Sequence, residues 1–350
     1  MRTIVLTLVW VSSLLVGCAT NVADAAFHGN RQQVASLIDS GKDVNARDDV
    51  NGWTGLMWAA SQGYPEIAEY LLAHGADPNL KDDQGHTALY IASIRDRLEI
   101  VKLLLAQKAD VNSRDRDGST PLLATHTSAI RQALVAAGAD VNVKNKAGAT
   151  PLAIAALAGD ARSIELLLQR GSQVDEKIQG KTPLIALCNL EGLGSTIVHV
   201  AKSVSWDSMS DVQKVSAFDQ IAQPIMNQYV AAARHLVKAG ANLSANDDLG
   251  QTALHWAVAS LTVGWLKIGG LRAITKLPLY EERLSAFSRT FLAVLLDAGA
   301  PMNAINSKGL SPLGLLRMLR KNEVSLGPQL APLAAYNDDI DRFLVERGAR

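Results

Sequence analysis

No sign of charge dominates this sequence: its 350 residues carry 34 Lys and Arg against 34 Asp and Glu. That balance argues against bulk attraction to nucleic acid or to an anionic lipid surface, since both need a basic excess, and leaves room only for a local patch. Aromatic residues are scarce at 5%. They are too few for the half-buried faces of a β-sandwich, whereas abundant Ala, Leu and Val suit close helix packing. Cysteine is scarcer still, with Cys18 and Cys188 alone. Because Cys18 falls at a processing site, Cys188 has no partner for an intramolecular disulfide, and it reads as a small core residue. Groups for chemistry are equally thin. The seven histidines (His28, His74, His86, His126, His199, His235 and His255) include no i, i+4 pair and no metal-ligand cluster. There is no Gly-x-Ser-x-Gly elbow, and Gly192-Leu193-Gly194 has no preceding strand that would make it a phosphate loop. Asp338-Asp339 reads as a polar helix start, where acidic residues suit the dipole. No cofactor and no metal are expected, and catalysis is not.

The N-terminus departs from this plainness. Arg2 precedes an apolar stretch from Thr3 to Val16, too short to span a membrane comfortably but shaped like a secretory signal. It ends in Leu15-Val16-Gly17-Cys18, which resembles the lipobox of bacterial lipoproteins. The resemblance implies a signal peptide over residues 1–17, cleavage before Cys18, and a diacylglycerol on the Cys18 sulfur. Ala19, not Asp, follows the cysteine; in the Gram-negative pattern this implies an outer-membrane anchor with the protein facing the periplasm. Each buried CH₂ contributes about 0.8 kcal/mol, so two or three acyl chains hold durably. An ordinary signal peptide, or an anchor helix with a chance cysteine, is the alternative.

Self-similarity organises the remainder. A Thr-x-Leu triplet recurs at Thr54, Thr87, Thr120, Thr150, Thr182 and Thr252, with Ser311-Pro312-Leu313 as a seventh instance; the first spacings are 33, 33, 30 and 32 residues. A closing signature follows each, as in Gly75-Ala76-Asp77-Pro78-Asn79 and Gly138-Ala139-Asp140-Val141-Asn142, with Lys108 in the glycine place of one copy. Between units stand Asp49-Val50-Asn51-Gly52, Asp82-Asp83-Gln84-Gly85, Asp115-Arg116-Asp117-Gly118 and Asp247-Asp248-Leu249-Gly250. The threonine caps a first helix, and proline after it suits a site whose N–H is spare. The glycine supplies the left-handed residue that ends a second helix. Asp-x-x-Gly makes a turn at the tip of a hairpin finger. Ile100, Val101, Leu103, Leu104 and Leu105 show helical spacing between these marks. An incomplete first unit aligns Thr20-Asn21-Val22 with the triplet and Ala25-Ala26 with the paired alanines of Ala59-Ala60.

These signatures resemble the ankyrin repeat, and Thr252-Ala253-Leu254-His255 keeps its Thr-Pro-Leu-His histidine. The resemblance covers about Thr20 to Gly348. It implies an all-α solenoid of helix pairs with hairpin fingers, about eight units over residues 18–348, used for protein recognition. It also implies a structural, hydrogen-bonded role for His255. Three spacings exceed the period, and aligning the flanks places insertions between the helices of a unit near 191–229, 261–289 and 321–337. Val212, Val215, Phe218 and Ile221 predict an amphipathic helix over Ser210–Ile221, residues 281–297 a lengthened second helix, and Gly269-Gly270 a loop. The insertions should touch one another as an extra helical layer, either capping the core or serving a partner.

Binding therefore has better candidates than chemistry. Trp53 stands in a finger. Trp58 and Trp256 precede paired small residues on the face the family turns to partners, where tryptophan makes interface hot spots; packing against neighbouring first helices is the competing reading. His86, Arg114, Arg116, Lys144 and Lys146 line the fingers as a mildly basic strip. The expected function is that of a lipid-anchored, non-enzymatic binder of a protein partner, with membrane contact through Cys18 and no nucleic acid. The first version is an inhibitor or immunity protein that neutralises an envelope-acting toxin such as a phospholipase effector. A scaffold or assembly factor for an envelope complex is the alternative, and an enzyme housed in the insertions the remote one.

Overall fold

The computed structural model describes residues 21–190, 208–268, 278–324 and 331–350, together with Leu193, Ile197 and His199. The lipobox, Thr20 and Gly269-Gly270 lie outside the described residues. Those described form helices joined by turns and fingers, with three isolated bridges and no strand among them. The all-α repeat fold expected from the sequence is the one observed. The chain divides into two compact units, Met1–Asp140 and Val141–Arg350.

In the first unit the helices run in pairs: α1 (Val22–Phe27) with α2 (Arg31–Asp39), α3 (Gly55–Gln62) with α4 (Pro65–Ala73), α5 (Ala88–Ile94) with α6 (Leu98–Ala106), and α7 (Pro121–Ala124) with α8 (Ser128–Ala136). Thr54 and Thr87 cap α3 and α5 by accepting the amides of Met57 and Tyr90 at 3.3 and 3.2 Å. The first helix is capped by Asn21, whose side chain accepts the Asp24 amide at 2.8 Å. Leu56, Leu71, Leu89, Ile100 and Leu104 fill the interior and are fully buried. Gly75 and Gly138 close their helices at φ 89° and 91°; Lys108 does so at φ 58°, a region that glycine occupies without the steric cost of a Cβ.

The threonine rule fails at Thr120. Helix α7 has four residues, Thr120 makes no cap bond, and Thr125 is already extended. The missing turn leaves room that Arg131 fills: it is 2% exposed and donates to the Thr125 carbonyl at 3.0 Å. A buried guanidinium thus takes the place of backbone that the short helix does not supply.

The second unit pairs α9 (Pro151–Leu157) with α10 (Ala161–Gln169), α11 (Pro183–Cys188) with α12 (Asp211–Lys238), α13 (Ala253–Ile268) with α14 (Pro278–Asp297), and α15 (Pro312–Val324) with α16 (Ala331–Glu346). The described residues of the long spacings extend the helices of their own repeats. Residues 211–229 are continuous with the second helix as the 28-residue α12. Of the predicted stripe, Phe218 is buried whereas Val212 is 80% exposed; the inward face runs on from Phe218 through Ala222, Met226, Tyr229 and Ala233. Asp338 and Asp339 lie inside α16, not at its start. Asp219 and Arg283, from two different inserted stretches, meet in a two-bond ion pair at 3.1 Å each. Tyr229 packs over Gly159, where an added Cβ would lie 2.2 Å from the ring, so only glycine fits there.

Cys188 is fully buried, and burial pushes its thiol upward. His255 is also fully buried. Its Nδ1 accepts from the Thr252 amide at 3.3 Å and its Nε2 donates to the Leu310 carbonyl at 3.0 Å, the pattern of a neutral ring. Burial lowers its pKa, outweighing the opposing pulls of Leu310 and Asp247. His235 is only half-buried and faces Glu165 at 4.0 Å, so it is not a core residue.

Candidate functional site

Most of the fingers are organised by one carboxylate or carboxamide; the one before Thr182 is closed instead by the backbone bonds between Ile178 and Lys181. Asp82 Oδ1 accepts the amides of Gln84 and His86, both at 2.8 Å. Asp115 does the same for Asp117 and Ser119, Asp247 for Leu249 and Gln251, and Asn306 for Lys308 and Leu310. Asp48 takes three amides, those of Val50, Asn51 and Trp53, so Asp48 and not Asp49 is the organiser of the first finger. These bonds satisfy amides that a tight hairpin leaves without strand partners.

The three tryptophans named from the sequence are tied to the second oxygen of these same carboxylates. Trp58 Nε1 donates to Asp48 Oδ2 at 2.7 Å, Trp53 Nε1 to Asp82 Oδ2 at 2.8 Å, and Trp256 Nε1 to Asp247 Oδ2 at 2.8 Å. All three are half-buried. Trp58 and Trp256 each tie a first helix to the finger before it, and Trp53 ties the first finger to the second, so each ring is held by a buried or half-buried carboxylate. Among the described residues no indole donates to the organisers Asp115, Asn145 and Asn306; two of these three are asparagine. The amide oxygen there accepts backbone N–H groups as an aspartate would.

In the first unit the rings form a run. His28 and Phe27 lie 5.0 Å apart, Phe27 and Trp58 4.6 Å, and Trp58 and Trp53 4.5 Å between centroids. Asp82 then joins Trp53 to His86, whose Nδ1 lies 3.0 Å from Asp82 Oδ2 and whose ring stacks on Tyr90 at 4.5 Å. Burial first, then Asp115, raises the Tyr90 hydroxyl to about 12. For Asp82, burial alone would raise the carboxyl, but hydrogen bonds from His86 and Gln84 outweigh it and hold it below its ordinary value.

The structure brings Trp53, Trp58 and His86 together. Arg114 and Arg116 are exposed on the third finger, and their backbones join it to the second: Lys81 Nζ donates to the Arg114 carbonyl at 2.9 Å, and the Arg116 amide to Gln84 at 2.9 Å. Trp256, Lys144 and Lys146 belong to the second unit, where Lys144 pairs with Glu176 and Lys146 is exposed. The finger segments 47–52, 81–85 and 114–118 hold six Asp against four Arg and Lys. Asp48, Asp82 and Asp115 accept finger amides, which leaves Asp49, Asp83 and Asp117 exposed beside Arg47, Lys81, Arg114 and Arg116, so the exposed charge of these fingers is mixed. Sequence reasoning missed Asp48, Asp82 and Asp247 as partners of indoles, although Asp48 and Asp247 stand only 10 and 9 residues before Trp58 and Trp256. It also missed Phe27.

A second ladder joins successive repeats. Asn45, Asn79 and Asn112 accept the amides of Asp77, Asp110 and Asp140 at 2.9, 2.7 and 2.8 Å, and Asn142 accepts that of Gln173 at 3.0 Å. The asparagine of each closing signature thus fixes the spacing to the next repeat. Among the described residues no group of three or more His, Cys, Asp and Glu is placed to hold a metal. No described helix is long and apolar enough to cross a membrane.

A family model of ankyrin repeats matches residues 22–115 and 122–201. Similar stretches occur in human Ankyrin repeat domain-containing protein 40 (40% identical over 62 residues, 18% of this chain and 17% of that protein). They occur too in human Protein phosphatase 1 regulatory subunit 27 (44% over 62 residues, 18% of this chain and 40% of that protein). Bovine Mitochondrial disaggregase shares 50% over 60 residues, 17% of this chain and 9% of that protein. The chain therefore spans well under half the length of each of these relatives. Ankyrin repeats are in general non-catalytic and mediate binding to protein partners. The helix pairs, asparagine ladder and aspartate-organised fingers described above are such repeats, and this chain is an all-α protein built of ankyrin repeats.

Proposed function

We propose that this protein is a non-enzymatic inhibitor, held at an outer membrane by lipid on Cys18 and facing the periplasm, that neutralises an envelope-acting toxin such as a phospholipase effector. The observation that carries the binding role is the pinning of tryptophans to finger carboxylates, Trp53 and Trp58 in the first unit and Trp256 in the second. Rings fixed in this way lose little freedom on association, so more of the contact energy reaches affinity. The lipobox-like Leu15-Val16-Gly17-Cys18 supports the anchor. A tethered binder meets only partners that come to the envelope or reside there, and an enzyme attacking membrane lipid is one that comes.

The test is rescue. A candidate toxin is expressed in the periplasm with the wild-type protein, with Cys18→Ala, and with Trp58→Ala or Trp256→Ala. Wild type rescues; the unanchored variant rescues less; loss of an anchoring ring costs about 2 kcal/mol or more of binding. Absence of rescue against every envelope toxin tried refutes the inhibitor reading and favours an envelope scaffold. Equal rescue by both tryptophan variants refutes this choice of surface.

A further inference from the structure

The lengthened helices of the second unit build a feature that a regular repeat lacks. The second helices α2, α4, α6, α8 and α10 have nine residues each, whereas α12 has 28 and α14 has 20. Nine residues counted back from their C-termini reach Val230 and Arg289, so residues 211–229 and 278–288 are additions. Between α12 and α14 runs a groove of about 580 Å³, within the size range of ligand sites. Six of its nine lining residues belong to the additions, so the insertions make the groove.

Its lining has a direction. One end is closed by the Asp219–Arg283 pair, whose two bonds occupy both carboxylate oxygens. Glu282 is exposed beside Arg283, so that end holds no excess of positive charge. Arg234 lies 15 residues after Asp219, about 22 Å along the helix axis. It is exposed, and among the described residues it has neither an acidic nor a hydrogen-bonding partner. Lys238 stands one turn further on, also exposed and unpaired among the described residues. No carboxylate besides Asp219 lines the groove. Midway, Gln223 Nε2 donates to Asn227 Oδ1 at 3.0 Å, which leaves the Gln223 oxygen and the Asn227 NH₂ group for another main chain. Val230 and Phe287, 6% and 5% exposed, form an apolar floor.

We infer that this groove docks an acidic segment of a protein partner. A carboxylate of the segment meets Arg234, its main chain bonds Gln223 and Asn227, and an apolar side chain covers Phe287. A free cation with no free carboxylate beside it favours an acidic segment and repels a basic one. A small anion would use Arg234 alone and leave the carboxamides and the floor idle. The inference rests on the protein-binding reading above and adds a contact outside the fingers.

The experiment titrates the full chain with a dye-labelled Asp-Leu-Asp-Gly repeat peptide and its Lys-Leu-Lys-Gly counterpart, with inorganic phosphate and phosphatidylglycerol vesicles as competitors. The acidic peptide is expected to bind and the basic one not to. Arg234→Glu, and Ala286→Trp which fills the groove from an exposed position, should each weaken binding about tenfold, the scale of one hydrogen bond to a charged group. Arg234→Lys should keep most of it. Lys146→Glu makes the same charge change on an exposed finger residue and should leave binding unchanged. Circular dichroism checks that each variant is folded. The inference is overturned if the acidic peptide does not bind, if the basic peptide binds equally, or if phosphate or vesicles displace the peptide at equal concentration. It is overturned too if the folded Arg234→Glu and Ala286→Trp variants bind as wild type, or if Lys146→Glu weakens binding as much as Arg234→Glu. Full toxin rescue by both groove variants removes this inference alone; peptide binding without rescue removes the toxin reading and leaves the groove standing.

Discussion

Replacing Asp82 by asparagine tests the coupling between finger and tryptophan. The side chain is 3% exposed. Its Oδ1 accepts two backbone amides at 2.8 Å, and its Oδ2 accepts the Trp53 indole at 2.8 Å. In Asp82→Asn the amide oxygen keeps the backbone bonds, as Asn306 does natively. The new NH₂ then faces the indole N–H, and indole can only donate. One charge-assisted bond is lost, worth about 1.5–3 kcal/mol, and a half-buried donor is left without an acceptor, so a total near 2–4 kcal/mol is expected. Asn145→Asp, where no indole donates, should stay within about 0.5 kcal/mol. Urea denaturation followed by far-ultraviolet circular dichroism, with Trp53→Phe and the double variant, isolates the pairwise part. The pH dependence adds a second reading. Asp82 is held below its ordinary value of 3.8, so its contribution is complete above that pH and is lost as pH falls through the lowered folded value. Asp82→Asn should flatten that acid limb. A variant within about 0.5 kcal/mol of wild type, or no coupling to Trp53, would refute the reasoning.

Further outcomes follow from single positions. Leu104 is fully buried in α6, so Leu104→Ala should cost about 2–5 kcal/mol and lower the stability of adjoining repeats, as hydrogen exchange would show. Lys108 occupies the left-handed region at φ 58°, and Lys108→Gly should raise stability by about 0.5–1 kcal/mol in the same denaturation assay, the relief of a Cβ clash set against glycine's looser unfolded chain. Cys188 is wholly enclosed with its thiol raised; in a Cys18→Ala background a thiol reagent should modify it only at the rate of unfolding, and fast labelling of the native protein would contradict its position.

Much of the fold was legible in the sequence because its signals are local. The capping threonines at Thr54, Thr87, Thr150 and Thr182, the glycines at φ near 90° and the Asp-x-x-Gly turns each act within a few residues. The short α7 was not legible. Thr120-Pro121-Leu122 carries the same signals as its neighbours, and only the burial of Arg131 shows what replaced the missing turn. The charge of the fingers was legible only in part for a related reason: sequence lists charges, whereas the fold decides which carboxylates are taken up by backbone amides.

The sequence by itself determined the repeat, its period, most of the caps and the residues available for binding, because capping and turn chemistry are set by neighbours along the chain. Tertiary structure alone decided what the tryptophans do. Trp53 finds Asp82 across 29 positions, Lys181 reaches the face of Trp256 75 positions on, and Phe27 closes on Trp58. Those pairings depend on how one repeat stacks on the next, a distance that the Asn45, Asn79, Asn112 and Asn142 ladder fixes and that no periodicity in the sequence expresses.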